Sequence, residues 1–284
     1  MQNLKEVRQT IKLAKLRLKE VYNIGSLPDF YIIGAAKSGT SSLYTSLTQH
    51  PGIINRVEKE IHFFDYPQKR NQGIAYYKAN FLSQNQKKYI SKNLGYNVIE
   101  GDATPFMSHL WIPKWLFEIN PNAKLIAILR NPIDRSFSGY HHNKRCGREP
   151  LSFEEAIASE PDRIKEEFEK IKTDPQASSY NYSSFSYLGR GHYYEQLIRW
   201  LKFFPQDKLC VINFEDFVSD SAKICSQLFN FLNLPDYPVK HSNKINLGSH
   251  NQQMDHALRA QLRNHFKEHN KKLFQLINKE FDWD

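Results

Sequence analysis

Five consecutive residues, 37–41 (Lys-Ser-Gly-Thr-Ser), combine one positive charge, three hydroxyl groups and a glycine. A loop of small residues can offer backbone N–H groups to a phosphate or sulfate group, and a lysine adds charge at close range. Glycine lets the backbone approach the anion without an intervening side chain. The sequence therefore predicts an anion-binding loop made of Lys37, Ser38, Gly39, Thr40 and Ser41.

Two segments with different hydrophobic patterns flank this loop. An apolar run at residues 30–33 predicts a buried strand that ends at Gly34. After the loop, Leu43 and Leu47 stand four residues apart, which predicts a helix that ends before Pro51. A strand, a loop and a helix in this order direct the positive end of the helix dipole at a bound anion.

The loop also invites comparison with the phosphate loop of nucleoside-triphosphate enzymes, G-x-x-x-x-G-K-[ST]. Gly34 and Gly39 have the required spacing, but Thr40 occupies the lysine position and Lys37 lies inside the loop. The best candidate for an aspartate that holds Mg²⁺ is Asp102. We therefore expect a phosphate-binding loop that does not serve an ATPase, and the alternative is a P-loop kinase or NTPase.

A carboxylate and an imidazole follow the predicted helix, at Glu60 and His62. If this segment is extended, its period of two residues places both side chains on the same side. A carboxylate beside an imidazole can remove a proton from a substrate group, which makes the pair a candidate general base. The alternative is that Glu60 is a solvated surface charge and His62 a partly buried ring.

A second cation, Arg130, stands at the end of the strand predicted for residues 124–129, and Ser138 follows in the next helix. The planar guanidinium group of arginine can donate two hydrogen bonds to one phosphate. Arg130 and Ser138 are therefore candidates to bind a second phosphate group. The alternative is that Arg130 forms a salt bridge with a neighbour and that Ser138 lies on the helix surface.

Strand and helix patterns alternate along the rest of the chain, which predicts a parallel sheet with right-handed crossovers. Further strands are predicted at residues 97–100 and 208–214, helices at residues 67–95, 112–119, 153–172, 189–204, 217–232 and 255–281, and a mobile loop at residues 178–187. The predicted fold class is α/β, a P-loop-type three-layer fold with a central parallel sheet flanked by helices. Ligands of such sheets bind at the carboxyl ends of the strands, so that Lys37, Glu60 and Arg130 can share one crevice.

The composition is that of one globular domain with anionic partners. The chain has 284 residues, 40% of them hydrophobic, and a net charge of +9. We expect a helical segment at residues 1–25 and a single domain at residues 26–284, with an insertion near residues 146–188. The three cysteines have no disulfide or metal-binding spacing, and no signal peptide or membrane-spanning run is visible, so a cytoplasmic setting is expected.

Residues 3–22 carry an amphipathic helical pattern with a basic face. Its apolar residues recur three and four apart at Leu4, Val7, Ile11, Ala14, Leu18 and Val21. We expect this helix to pack on its own domain or on a second subunit. Contact with an anionic membrane surface is the alternative.

Together these motifs resemble those of the sulfotransferases that use 3′-phosphoadenosine 5′-phosphosulfate (PAPS). The branch that they resemble most contains the heparan sulfate sulfotransferases and their bacterial relatives. Residues 33–41 resemble the loop for the 5′-phosphosulfate, and residues 59–65 resemble the segment of the catalytic base. Residues 129–140 resemble the motif for the 3′-phosphate, whose arginine and serine correspond to Arg130 and Ser138.

The resemblance implies that PAPS is the sulfuryl donor and 3′-phosphoadenosine 5′-phosphate (PAP) the product, with no metal required. Lys37 would stabilise the departing phosphate and Glu60 would take the proton of the acceptor. His62 would orient the acceptor or act as the base in place of Glu60. Residues 189–194 resemble the segment near the adenosine, which assigns Tyr193 to cofactor binding.

Two positions depart from the family pattern. Many glycan-modifying members place a catalytic lysine one residue before a Thr-Pro or Ser-Pro dipeptide, where this chain has Ala103 before Thr104. The late basic loop that contacts the cofactor corresponds loosely to residues 244–250, with Lys244 as its cation. The acceptor is left open between a carbohydrate and a small molecule, modified on a hydroxyl or an amine. A non-enzymatic binder of nucleic acid or membranes would leave the ordered phosphate motifs without a purpose.

Overall fold

Four parallel strands form the central sheet within the part of the chain that this computed structural model describes, residues 14–55, 60–177, 180–240 and 254–283. They are β1 (Phe30–Gly34), β2 (Gly101–Asp102), β3 (Lys124–Leu129) and β4 (Leu209–Asn213). Their order in the sheet is β2-β1-β3-β4, and every neighbouring pair is parallel. The predicted α/β fold class is confirmed.

Helices cover both faces of this sheet. They are α1 (residues 14–21), α2 (Thr40–Leu47), α3 (Pro67–Arg70), α4 (Gly73–Ala79), α5 (Gln84–Leu94), α6 (Ile112–Ile119), α7 (Pro132–Arg145), α8 (Phe153–Ala158), α9 (Glu160–Thr173), α10 (Tyr180–Phe185), α11 (Tyr193–Leu201), α12 (Phe214–Ser219), α13 (Ser221–Phe231) and α14 (His256–Ile277). Two short 3-10 turns, Gly189–Gly191 and Gln206–Lys208, precede α11 and β4.

The side chains of β1 alternate between two hydrophobic clusters, one on each face of the sheet. Tyr31 and Ile33 belong to the cluster that contains α6 and α11 residues, and Phe30 and Ile32 belong to the cluster that contains α2 and α13 residues. All four are fully buried. The strand is therefore apolar on both sides, as expected for a parallel sheet between two layers of helices.

The predicted strand at residues 97–100 is wrong in position, because the pairing of this segment is decided by a distant loop. Ile99 exchanges backbone hydrogen bonds with Ile54 and Gly52, at 3.0 and 2.8 Å, and does not pair with β1. The chain joins the edge of β1 only at Gly101–Asp102, opposite Phe30 and Tyr31.

Three predicted long helices are each interrupted. Residues 67–95 form three helices, with Gly73 at a φ of 84° after the first and a Ser83 capping box at the start of the last. Residues 153–172 divide at Ser159, because Pro161 favours a new helix start. Residues 217–232 divide at Asp220, whose carboxylate accepts a hydrogen bond from the Lys223 N–H at 2.9 Å and caps α13. The predicted loop at residues 178–187 contains the short helix α10.

In the described part of the N-terminal helix the apolar stripe does not pack on its own domain, and packing on a second subunit or contact with a membrane surface stays a prediction. Leu18 and Val21 are 59% and 77% exposed. Lys19, which lies off the stripe, instead donates hydrogen bonds to the backbone carbonyls of Ala79 and Phe81. Residues 3–13 of this prediction lie outside the described residues. No helix in the described ranges has the length and apolar character needed to cross a membrane.

Gly39 is required by both its backbone angle and its surroundings. Its φ is 83°, and an added Cβ would lie 2.6 Å from the buried Phe214 ring. Gly95 has a φ of 79° with no atom near its Cβ position, which makes it a matched control.

We expect Gly95→Ala to lower the free energy of unfolding by about 1 kcal/mol through backbone strain alone. Gly39→Ala should cost about 3 kcal/mol because steric overlap adds to that strain. Urea unfolding measures the free energy of unfolding of each variant. Equal losses in the two variants would contradict the steric overlap assigned to Gly39.

Candidate anion-binding and catalytic site

The predicted anion loop lies at the carboxyl end of β1, directly before α2. Lys37 and Gly39 both have left-handed backbone angles, with φ of 72° and 83°. The Ser38 N–H donates to the Ala35 carbonyl at 3.1 Å. The N–H groups of Lys37, Gly39 and Thr40 have no hydrogen-bond acceptor among the described residues. The loop therefore presents several backbone N–H groups without acceptors at the N-terminus of a helix, which is the arrangement that binds an anion.

The hydroxyl of Ser38 fits the same role. Ser38 is fully buried, and its Oγ lies near the Tyr193 side chain without reaching normal hydrogen-bond geometry to any described group. A buried hydroxyl without a partner is uncommon, and a ligand oxygen would satisfy it. Thr40 is buried in the first turn of α2, and Ser41 is half-buried beside it.

Positive charges converge on Lys37. Burial lowers the pKa of Lys37, and the nearby charges of Arg145, Arg130 and Arg135 lower it further. Arg130 directly follows β3, and Arg135 and Arg145 lie on α7. The loop after β1 therefore lies near the segment that follows the neighbouring strand. Like charges held this close repel each other, and a bound polyanion would remove that repulsion.

Arg130 is held by an aromatic ring and a hydroxyl, and the negative charge of Glu215 interacts with it without forming a salt bridge. Its guanidinium lies over the Phe214 ring, 5.1 Å from the ring centroid, and its carbonyl accepts a hydrogen bond from the Tyr193 hydroxyl at 3.0 Å. No carboxylate lies within 4.0 Å of it among the described residues, so the salt-bridge alternative is not observed. Ser138 is 7% exposed on α7, and the surface alternative is wrong.

The strand ends that carry the site are tied together by Trp283. Its indole N–H donates to the side chains of Asn213 and Glu215, at 3.0 and 3.2 Å. Its carbonyl accepts a hydrogen bond from Asn131 at 2.9 Å. Asn131 follows Arg130 at the end of β3, and Asn213 is the last residue of β4. Trp283 therefore fixes the neighbouring ends of two parallel strands.

Sequence reasoning missed Arg135 and Arg145. Arg135 is almost fully buried, donates to the Tyr187 carbonyl, and interacts electrostatically with Lys37. It precedes Ser138 by three residues on α7, so both lie on one helix face. That spacing is the signal in the sequence that could have identified Arg135. Arg145 follows Ser138 by seven residues on the same face of α7, but that it lies near Lys37 is evident only from the fold.

Glu60 and His62 meet in the structure, together with a third residue, Asp65. The His62 Nδ1 lies 2.7 Å from a carboxylate oxygen of Asp65, and its Nε2 lies 3.5 Å from one of Glu60. The His62 ring also stacks on Tyr66, with centroids 4.7 Å apart. The segment is not extended, because His62 has a φ of 57°. Its N–H donates to the Thr104 hydroxyl at 3.3 Å, which supports this unusual backbone.

This arrangement keeps His62 positively charged at neutral pH. Burial alone would lower the pKa of His62, but the hydrogen bonds and charges of Asp65 and Glu60 outweigh it and raise the pKa to about 9. An imidazolium donates from both nitrogens and cannot accept a proton. The prediction that His62 can replace Glu60 as the base is therefore not supported, and Glu60 is the remaining proton acceptor of the pair.

Asp102, the candidate for a Mg²⁺ ligand, is already committed to hydrogen bonds. It is buried, and its carboxylate accepts from the Tyr77 hydroxyl at 2.8 Å and from the Thr104 N–H and hydroxyl at 3.0 and 2.6 Å. Thr104 in turn accepts the N–H of His62. Asp102 therefore positions the His62 segment and does not face a ligand.

The two remaining predicted residues have different positions. Tyr193 is 1% exposed, and burial raises its pKa to about 12, although Arg135 and Ser38 lower it part of the way. The Tyr193 hydroxyl donates a hydrogen bond to the Arg130 carbonyl, so Tyr193 positions the backbone of Arg130. Lys244 lies outside the described residues.

A cavity of about 580 Å³ lies at the opposite, amino ends of the strands, near Asp29 and Lys124, and is separate from this site.

Comparison with known proteins agrees with this geometry. A family model described as "Sulfotransferase domain" matches residues 27–275. The membrane-associated sulfotransferase kil1 of Dictyostelium discoideum is 30% identical, over 90% of this chain and 66% of that protein. This chain therefore spans slightly less than two thirds of that relative. Heparan sulfate glucosamine 3-O-sulfotransferase 5 of Homo sapiens is 25% identical, over 92% of this chain and 75% of that protein.

One solved structure has both a similar fold and a similar sequence. The crystal structure of a sulfotransferase from Alicyclobacillus acidocaldarius matches 91% of this chain and 99% of its own, with a TM-score of 0.68 and 28% identity.

The charge on His62 can be tested by replacing Asp65 with Asn. The imidazolium would lose its closest charged acceptor, so the pKa of His62 should fall from about 9 toward its ordinary value of 6.5. Because the folded-state pKa is raised, the pair stabilises the protein fully below a pH of about 6.5 and loses this effect as the pH rises through about 9. At pH 6 the loss of unfolding free energy should be about 1 kcal/mol, since the pair is partly solvated.

Proton NMR titration of the His62 ring measures this pKa, and urea unfolding at several pH values measures the stability. The exposed Asp207→Asn variant is the control for a lost surface carboxylate. A His62 pKa that stays near 9 in Asp65→Asn would contradict the assignment.

Proposed function

We propose that this chain, which belongs to the sulfotransferase family, transfers the sulfuryl group of PAPS to a hydroxyl or an amine of a carbohydrate or small-molecule acceptor. Sulfuryl transfer follows from family membership and makes the chain an enzyme. The donor, the class of acceptor and the roles of individual residues are our proposal. PAPS supplies the sulfuryl group, and the chain supplies positioning and charge.

The observation that carries this proposal is the meeting of two cationic elements from neighbouring strands. Lys37 follows β1 and Arg130 follows β3, and these two strands are paired in the sheet. The two cations interact electrostatically. A nucleotide with separate anionic groups at its 5′ and 3′ positions suits such a pair of sites at one edge of a parallel sheet.

Each half of the site has its own task in this proposal. Lys37 and the unpartnered N–H groups of the loop hold the 5′-phosphosulfate and stabilise the phosphate as it departs. Arg130, with its two parallel N–H donors, and Ser138 bind the 3′-phosphate. AMP and ATP lack that group, so the second half provides selectivity.

The proton of the acceptor is assigned to Glu60. The charged His62 attracts and orients the Glu60 carboxylate, and Asp65 fixes the other side of the His62 ring. Removal of a proton by a positioned base contributes roughly 10²–10⁴-fold to the rate of a reaction. The Nε2–H of His62 lies beside the Glu60 carboxylate. It can therefore also donate a hydrogen bond to a sulfuryl oxygen or to the acceptor.

A P-loop kinase is not favoured. Such an enzyme needs a lysine where this chain has Thr40, and an aspartate for Mg²⁺. The carboxylate of the candidate aspartate, Asp102, already accepts hydrogen bonds from Tyr77 and Thr104. Neither of the two requirements is met by these residues.

Two observations bear on the class of acceptor. The name of the human relative specifies a heparan sulfate glucosamine, and a carbohydrate acceptor for this chain is the corresponding proposal. Ala103, buried at the position of a lysine in many glycan-modifying members, argues for a different acceptor from theirs. A cofactor contact by Lys244, a cytoplasmic setting and a second subunit stay predictions.

The 3′-phosphate site can be tested by calorimetric titration with PAP, AMP and Mg-ATP. We expect PAP to bind without metal and much more tightly than AMP or ATP, because only PAP engages both halves of the site. Arg130→Ala should weaken PAP binding about tenfold or more and change AMP binding little, since a hydrogen-bonded charge is lost. Arg263→Ala, an exposed arginine on α14, is the matched control. A preference for Mg-ATP would overturn the proposal in favour of the kinase.

The base can be tested by Glu60→Gln, which keeps the shape of the side chain and removes its basicity. Transfer of radiolabelled sulfuryl from PAPS, to an acceptor found in a screen of carbohydrates and phenols, should fall roughly 10²–10⁴-fold. PAP affinity should stay within about twofold, because Glu60 does not contribute to the cation cluster. Glu166→Gln, a highly exposed glutamate, is the control. A parallel loss of transfer and PAP binding would argue against a base.

A further inference from the structure

Three histidines that the sulfuryl-transfer site does not use converge between the start of α11 and the middle of α14. His192 directly precedes α11, and His265 and His269 lie one turn apart on α14. One nitrogen of each ring lies within 4.8 Å of the others. His265 and His269 have the i, i+4 spacing of a helical zinc-ligand pair, a signal that the sequence analysis missed, whereas His192 lies 73 residues before His265.

The distances between these rings suit a shared ion. The Nε2 atoms of His192 and His265 are 3.0 Å apart. Two nitrogens bound to one tetrahedral zinc ion at 2.0–2.1 Å are separated by roughly 3.3 Å. The His269 ring stacks on His192, with centroids 3.9 Å apart and planes 11° apart, so a third nitrogen lies alongside. To bind one ion, the stacked His192 and His269 rings must unstack by rotation about their side-chain bonds, so that the three nitrogens, already within 4.8 Å of one another, converge on it.

A carboxylate behind one ring strengthens the case. Glu195, in the first turn of α11, lies 2.8 Å from the Nδ1 of His269. Histidines that bind metals typically donate their other N–H to a carboxylate, which fixes the tautomer and the orientation of the ring. In this arrangement the Nε2 of His269 carries a lone pair. Imidazole nitrogens of this kind bind divalent zinc, copper and nickel.

We propose that His192, His265 and His269 bind one divalent transition-metal ion, such as Zn²⁺, with Glu195 as the orienting carboxylate and a fourth position for water. His265 is exposed, so the ion can reach the site from solvent. The ion joins α14 to the start of α11, next to Tyr193, which supports Arg130. Its binding stabilises the folded chain because the unfolded chain does not bring the three rings together.

The test is calorimetric titration of the full chain with ZnCl₂ after chelator treatment and dialysis. A Cys146→Ser background removes the exposed thiol, which could bind zinc by itself. We expect one Zn²⁺ per chain. His265→Gln and His269→Gln should each weaken zinc affinity about tenfold or more, and Glu195→Gln by roughly 10–100-fold. His256→Gln, an exposed histidine on α14 outside the cluster, should leave affinity within about twofold.

Thermal unfolding with and without Zn²⁺ gives an independent readout. The metal should raise the Tm of the parent chain and of His256→Gln, and should not raise that of His265→Gln. Because His265 is exposed, its replacement should leave the metal-free Tm unchanged, and this variant decides the outcome if His269→Gln fails to fold. Absence of zinc binding, or unchanged affinity in His265→Gln, would overturn the proposal and leave a hydrogen bond between two histidines. No measurement here uses PAPS or PAP, so the result is independent of the proposed function.

Discussion

Repulsion between positive charges is the constraint around which the site is built. Lys37, Arg130 and Arg135 are held near one another before any anion arrives, which is unfavourable because each is also partly or fully removed from water. The fold opposes this repulsion with two carboxylates, Glu215 near Arg130 and Glu160 near Arg135, and with neutral contacts. Arg130 packs on the Phe214 ring, and Arg135 donates to the Tyr187 carbonyl. A site assembled in this way is organised in advance for a polyanion, so little rearrangement is needed when one binds.

In the neighbouring part of the site, carboxylates surround one charged imidazole ring. Glu60 and Asp65 surround His62, and Asp102 holds the backbone of the same segment through Thr104. An aspartate at this place in a nucleotide hydrolase would bind Mg²⁺, whereas here it is buried as a structural acceptor. Under the proposed function the two halves divide the chemistry: the cationic half would bind the donor, and the acidic half would take the proton of the acceptor.

The parts of the structure that the sequence predicted are those determined by local pattern. Strand β1, its loop and α2 follow from hydrophobic periodicity and small residues, and β3 with Arg130 follows from one apolar run. Strand β2 was misplaced because Ile99 pairs with a loop that is distant in sequence. The charge of His62 depends on Asp65 through a left-handed turn, which an extended segment would not have produced. The histidine cluster joins two distant segments, so only the folded chain reveals it.

The position of Trp283 links the order of synthesis to the order of assembly. Both strand ends that Trp283 joins, at Asn131 and Asn213, leave the ribosome well before it does. The hydrophobic cluster on one face of the sheet, however, also contains Leu273, Ile277 and Trp283. The C-terminal segment therefore completes part of the core and the carboxyl ends of β3 and β4 together. Because domains generally fold as units, a chain without this segment would lose interior packing and an ordered binding edge at the same time.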